Sequence, residues 1–456
     1  MARPLLMVAL LLASCGGPGG DDDDPTTPAA VGEVSFDGTV STASCREVDH
    51  PLMARCTLTT ESSSTVRWTL REAGDEVRTF TTEGTTHEQL LWGLAEGTAY
   101  TWEATTDGGS ASGTLTAGTV DLGELAISAV GGAPALDGVL VPLQCTDTTG
   151  LVAFDGQGRI TWYQVLGPGS SDMRGGINGF DVGPDGFVAV VEGERIVEVA
   201  PDGTLVRDIV ADARPLHHDL AVDDDGRIYV LDATEVDGYI LDGVEVFDGT
   251  SSVARFDLAD VLTPTGSLGS DMFWANEFPG ATDWAHTNSV ELGPDGTALL
   301  SLKVQHAVMQ VVLDPEAADF GAVDWVLTGD DSDLSSDLAW SDGGGFHGQH
   351  HVSWASDGSL LVFDNGTSGS RGLAVDLDLD GGVASELRSV ELGDYCSIQG
   401  ATYELAGGGL LTTCGTSGTI EAFDASGQAT WSATVSCGSR APLARGLPLD
   451  WGTLGF

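Results

Sequence analysis

Positive charge is scarce in this chain of 456 residues: 18 Lys and Arg stand against 69 Asp and Glu, for a formal net charge of −51. Proteins grip nucleic acid through cations that neutralise phosphates, so this balance argues against such a partner. Long apolar runs are missing as well. The run Leu5 to Ala13 is too short to span a bilayer, and no later stretch reaches transmembrane length. What the chain does have is 63 glycines, many Thr and Val, and repeated Asp-Gly turns, a composition that predicts an all-β protein. The acidic excess reads as a solubilising surface. Asp376, Asp378 and Asp380 before Gly381 imitate the opening of a calcium loop, but no Glu closes it and a strand edge gives the same spacing. Calcium is the weaker reading there, and no cofactor is required.

The amino terminus sets an expectation of export. Leu12-Ala13-Ser14-Cys15 after a short apolar run resembles a bacterial lipoprotein signal, with Cys15 as the lipidated residue. An ordinary secretory signal is the alternative. Residues 1–15 are read as signal peptide and lipobox, and 16–30, rich in Gly, Asp and Pro, as a linker. Membrane contact is then expected only through the lipid, on the outer-membrane or periplasmic side of a cell envelope. In that compartment the other six cysteines become disulfide candidates. Cys45 and Cys56 are expected to pair, while Cys145, Cys396, Cys414 and Cys437 leave three connectivities open.

Two domains are expected. Residues 31–120 alternate in short runs, and the stretch from Leu94 to Thr119 resembles the last strands of a fibronectin type III domain, so an Ig-like β-sandwich is predicted there. From 135 to 456 a repeat takes over. Its clearest copy is FHGQHHVSWASDGSLLVFDNG, Phe346 to Gly366, in which Asp357-Gly358 turns one alternating run into a second. His350 stands eight residues before Gly358, His218 eight before Gly226, Asn288 eight before Gly296, Asn178 eight before Gly186, and Gln399 eight before Gly407. Seven residues after the same glycine come Lys303, Asn365 and Cys414. Six such units of three or four strands predict a six-bladed β-propeller, with insertions at 233–283 and 314–345 that could cover one face.

In a propeller the first strand of each blade lines the axis, so these positions converge. His218, His350, Asn288 and Asn178 form a ring, Lys303 and Asn365 reach its level, and His286, two residues before Asn288, shares its face by strand alternation. Three histidines, a lysine and amides make a site for an anion. The competing reading is a wet channel filled by polar residues. Zinc is the other rival, but Lys303 would repel it and no carboxylate occupies the ring position. His217, His347 and His351 are expected to turn away from the axis or lie in loops, and His50, His87 and His306 to play no part.

These motifs carry a resemblance. HHD at His217 to Asp219, DWAHTNSV at Asp283 to Val290, SLK at Ser301 to Lys303, QHH at Gln349 to His351, and FDNG with Arg371 beyond it resemble the bacterial arylsulfate sulfotransferases, in that family's order. The resemblance implies an exported six-bladed propeller that moves a sulfuryl group from a phenolic sulfate ester to a phenol without a nucleotide donor. By the same resemblance the transiently sulfated histidine corresponds to His350. The HHD histidine corresponds to His218, with His217 the alternative, and the H-x-N pair to His286 and Asn288. The family's arginine falls on Lys303, a departure that keeps the charge and loses the planar two-point grip on an oxyanion. His350, His218, His286 and Lys303 are therefore the expected catalytic residues, and Asn288, Asn365, Asn178 and His217 the expected substrate contacts. A non-catalytic propeller that binds an anion or a protein is the reading from another class, and hydrolysis with water as acceptor is a third.

Overall fold

The computed structural model describes residues 26–132, 136–168, 176–191, 195–211, 214–266, 268–269, 273–341, 343–438 and 441–451. Cys15 and the signal segment lie outside these residues. The described chain is strand and turn, without α-helix, and holds no helix long and apolar enough to cross a membrane. It divides into two compact units, one ending at Asp121 and the other comprising residues 92–95 and everything from Leu122 on.

The first unit departs from the expected pair of sheets. Its strands Ala30–Gly38, Val40–Glu47, Ala54–Glu72, Asp75–Leu91, Ala99–Thr106 and Gly109–Thr116 join in a single six-stranded sheet. The 19-residue strand Ala54–Glu72 is the cause: a register break between Thr59 and Ser64 lets its first half pair with Val40–Glu47 and its second half with Ala99–Thr106. Cys45 and Cys56 face each other across the first of these pairings and are bonded.

The second unit consists of six sheets in chain order, antiparallel apart from a short parallel pairing in each of the third and fifth. Sheet 1 holds Gly138–Gln144, Thr148–Phe154 and Ile160–Pro168; sheet 2 runs from Ile177–Val182 to Leu205–Val210; sheet 3 from Leu216–Val222 to Ser251–Asp257. Sheet 4 runs from Thr287–Leu292 to Val323–Thr328, sheet 5 from His350–Trp354 to Val383–Glu391, and sheet 6 from Ala401–Leu405 to Ala429–Ser436. The first strand of each of sheets 1 to 5 touches the first strand of the next. At the end of the chain Leu447–Leu449 pairs with Gly138–Gln144 and touches Ala401–Leu405, so the last strand completes the first sheet and the circuit.

The turn chemistry explains the regularity. Asp357 Oδ1 accepts from Ser359 N at 3.0 Å and Gly358 takes φ 86°, a left-handed value that favours glycine. The apolar residues of each strand meet those of the adjoining sheet. Leu299, Val308 and Leu327 of sheet 4 pack with Val352, Leu360 and Val362 of sheet 5, all essentially buried. Burial of this kind at about 25 cal/mol per Å² stabilises each sheet only in company with its neighbours.

Three sequence expectations change here. The span 233–283 is not one insertion: Tyr239–Asp248 and Ser251–Asp257 are the third and fourth strands of sheet 3, and Thr282–Asp283 pairs with the third. The span 314–345 likewise includes the strand Val323–Thr328. Residues 126–131, ahead of the predicted boundary, add a fifth strand to sheet 6. As for the Asp run, Asp376 and Asp378 lie on a strand, and Asp378 Oδ1 accepts from Gly381 N at 2.9 Å across the hairpin, so its carboxylate serves the turn.

The four open cysteines resolve as Cys145–Cys437 and Cys396–Cys414. The first closes a loop of 292 residues across the two ends of the second unit. In the chain-entropy account such a long loop gives stabilisation toward the upper end of the usual range, about 5 kcal/mol.

Candidate functional site

Four of the first strands begin with a break in pairing: between Ile177 and Phe180, Leu216 and Leu220, Thr287 and Ser289, and His350 and Val352. An extra residue in one strand re-aims the side chains beside it, so neighbours that alternation would send to opposite faces can converge. The backbone records the bending. His218, His286 and His351 adopt φ of 52°, 51° and 45°, left-handed values that cost a non-glycine residue about 1–3 kcal/mol each.

The three predicted histidines come together, and each is tied back through Nδ1. His218 Nδ1 lies 2.9 Å from His217 Nδ1, and His217 Nε2 lies 3.3 Å from Asp242 Oδ1. The negative charge of Asp242 beside Nε2 favours the His217 tautomer with hydrogen there, in which Nδ1 accepts and His218 Nδ1 is the donor. His286 Nδ1 donates to Asp283 Oδ2, and Asp283 is set in place by the parallel pairing of Thr282–Asp283 with Tyr239 and Ile240. His350 Nδ1 lies 2.8 Å from Asn365 Oδ1. The orientation of that amide follows from its other end, where Nδ2 donates to Cys396 O at 2.8 Å and Gln399 O at 3.0 Å. In every case the anchor is made through Nδ1, and Nε2 is left for chemistry.

Electrostatics hold two of these rings neutral. Burial, then the nearby charge of Lys303, lowers the His350 pKa well below its ordinary value; burial, then His286, His217, His350 and Lys303, does the same for His218. Lys303 follows the strand Thr297–Leu302, and its backbone N donates to His286 O at 3.2 Å. Burial lowers its pKa as well, with Asp283 opposing. It is the only lysine in the chain, a count that marks the position in the sequence itself.

The expected ring is partly corrected. Asn365 has both amide hydrogens and its oxygen engaged within the protein, so it positions His350 and is not a substrate contact. His217 is fully buried behind His218 and likewise positions it. Asn288 lies at the site but spends one Nδ2 hydrogen on Gln349 O at 2.8 Å. The side chain of Asn178 lies outside the described residues.

Other residues enter that the repeat did not mark. His351, expected to turn away from the axis, lines one cavity with His350, beside the register break between His350 and Val352. His306 stacks on His347 with ring centroids 4.0 Å apart, and its Nδ1 accepts from Gly348 N at 2.8 Å, so it braces the loop before His350. Phe273 packs edge-on against His286 at 5.0 Å and tilted against His218 at 4.8 Å, giving the site an aromatic wall. His50 and His87 belong to the first unit, where His50 Nδ1 accepts from Leu52 N and His87 Nδ1 bonds Thr82 Oγ1. Among the described residues no group of three His, Cys, Asp or Glu could hold a metal ion.

The depressed His350 pKa has a measurable consequence. Its neutral form persists as pH falls through 6.5, the ordinary imidazole value, so an NMR titration of the His350 ring is expected to show its transition well below about 6.5. A transition at or above that value would contradict a neutral, buried His350.

A family model described as Arylsulfotransferase (ASST) matches residues 124–381. No curated protein matches the chain. Among solved structures, a protein of unknown function from Bacteroides caccae is 13% identical, with 69% of this chain and 99% of that one covered at a TM-score of 0.45. Virginiamycin B lyase from Staphylococcus aureus is 10% identical over 68% of this chain and 88% of its own, at 0.37. The Pseudomonas aeruginosa periplasmic gluconolactonase is 13% identical over 66% and 81%, at 0.36. Similarity at this level transfers no activity.

Proposed function

The chain belongs to the arylsulfotransferase family, and on that premise we propose that it moves a sulfuryl group from a phenolic sulfate ester to a phenol by way of a sulfated His350. The observation that carries this reading is the convergence of three imidazoles, each anchored at Nδ1, beside a single buried lysine.

The roles follow from the tautomers. His350 Nε2 attacks sulfur, the S–O bond breaks, and its electron pair leaves on the phenoxide. His286, whose imidazolium Asp283 stabilises, gives that phenoxide a proton from Nε2 and later takes one from the incoming phenol. His218 Nε2 accepts the phenolic hydrogen and orients it. Lys303 and the remaining amide hydrogen of Asn288 balance charge on the sulfuryl oxygens, a contribution worth several kcal/mol in a dry site. Sulfuryl transfer, like phosphoryl transfer, rests chiefly on such placement.

The six sheets fit the blades of a six-bladed β-propeller, with the first unit as an accessory β domain. The three disulfides suit an oxidising compartment, and the Cys15 motif suits a lipid tether in the cell envelope.

The purified chain, given 4-nitrophenyl sulfate, is expected to release nitrophenol faster as phenol is added, with phenyl sulfate accumulating in step. Release without any phenyl sulfate would make it a hydrolase. No release from folded protein would favour a binding propeller.

A further inference from the structure

Behind His350 lies a cavity of about 30 Å³, lined by His218, Asn288, His350, His351, Gln399 and Arg445 among others. A water needs at least about 10–15 Å³ and two to four polar partners. Three lining residues each keep one buried polar atom without a partner in the protein: Asn288 Oδ1, His351 Nδ1 and Arg445 Nε. The residues themselves are only 7%, 3% and 7% exposed. Their other atoms are committed elsewhere. Asn288 Nδ2 donates to Gln349 O, while Arg445 Nη1 donates to Asp219 Oδ1 at 2.6 Å and Nη2 to Phe180 O. A buried polar atom left unpaired costs about 1–3 kcal/mol, and one acceptor, one donor and an imidazole nitrogen are the set that a water satisfies.

A proton path leads away from the same cavity. His351 Nε2 lies 3.0 Å from Tyr403 Oη. Tyr403 also lines a second cavity of about 290 Å³ with Asp181, Glu291 and Arg445. Burial raises Glu291 to about 8 and Asp219 to about 7, so both carboxyls exchange protons near neutrality. His351 is itself held well below its ordinary pKa, by burial and then Arg445, which favours passing a proton on over keeping it. Transfer between two phenols uses none of these groups.

We propose that the cavity behind His350 holds a water that discharges the sulfated enzyme when no phenol is present, so that the chain is a slow arylsulfate hydrolase as well as a transferase. This inference rests on the sulfohistidine reading above. The water oxygen bonds to sulfur as the N–S bond breaks, and that electron pair returns to His350 Nε2. The water's proton goes to His351 Nδ1, the Nε2 proton of His351 to Tyr403, and the Tyr403 hydroxyl proton through solvent in the second cavity to the carboxylates. The group leaves as hydrogen sulfate, which gives its remaining proton to bulk water to become inorganic sulfate, with no change of oxidation state.

The test follows 4-nitrophenyl sulfate in ¹⁸O-labelled water without phenol. The expected trace is a fast burst of about one nitrophenol per chain, then slower steady release matched by sulfate carrying one ¹⁸O. His351→Asn and Tyr403→Phe should each slow the steady phase tenfold or more relative to the burst, a loss at the low end for removing general acid–base help. Tyr403→Phe removes only a hydroxyl, so it remains informative if His351→Asn fails to fold. A burst with no later sulfate, or a steady phase equal in folded variants and parent, overturns the inference and leaves transfer standing. Absence of any burst removes the sulfohistidine reading and this inference together.

Discussion

Replacing His350 with alanine is expected to remove both the nitrophenol burst and acceptor-dependent turnover, a loss on the order of 10⁴-fold or more, as for other enzymes stripped of a covalent nucleophile. The size of the effect comes from the role, since no other imidazole can take over. His218 and His286 keep their Nδ1 anchors to His217 and Asp283, which hold their rings in place. Intact-mass measurement of acid-sensitive samples quenched at high pH should find one sulfuryl group per parent chain and none on His350→Ala. Full transfer by the variant would sink the mechanism. Because His350 is buried among neighbours that survive its truncation, the variant should fold, and a thermal melt checks that.

Asp283→Asn is expected to have the second largest effect, roughly 10²- to 10⁴-fold on turnover, by a different route. Asp283 makes His286 carry hydrogen on Nδ1. An amide can present its NH₂ there instead, which turns the imidazole into the other tautomer and removes the charge that stabilises imidazolium. The loss should deepen with the basicity of the departing phenoxide. Unsubstituted phenyl sulfate, whose phenoxide needs a proton most, should suffer more than 4-nitrophenyl sulfate. An equal loss for both esters would mean that Asp283 places the loop and takes no part in proton transfer.

The same two residues mark where sequence reading ends. His350 is legible: it occupies a repeated place before an Asp-Gly turn and sits in the QHH motif. Asp283 is three residues from His286 in the chain, yet nothing in that spacing says that a two-residue strand beside Ile240 will aim its carboxylate at the ring. Asn365 was legible as a position and illegible as a role. Only the carbonyls of Cys396 and Gln399, brought in from the segment between sheets 5 and 6, reveal that both its amide hydrogens are spent within the protein. His351 was misjudged because alternation with a period of two presumes regular pairing, and the bulge between His350 and Val352 breaks that period where the site is built.

The sequence by itself determined the strand-and-turn architecture, the repeat and the identity of the polar residues that meet at its centre, because these depend on local alternation, Asp-Gly turn chemistry and spacing along the chain. The single lysine and the acidic balance were also written there. Tertiary structure alone decided which nitrogen of each histidine faces the reaction, which amides are already spent, how four cysteines pair, and that Arg445, near the far end of the chain, reaches the same cavity as His218. Those properties depend on bulged strands that turn near neighbours toward each other and on contacts between distant residues, such as Arg445 with Asp219, that only closure of the sheets brings within reach.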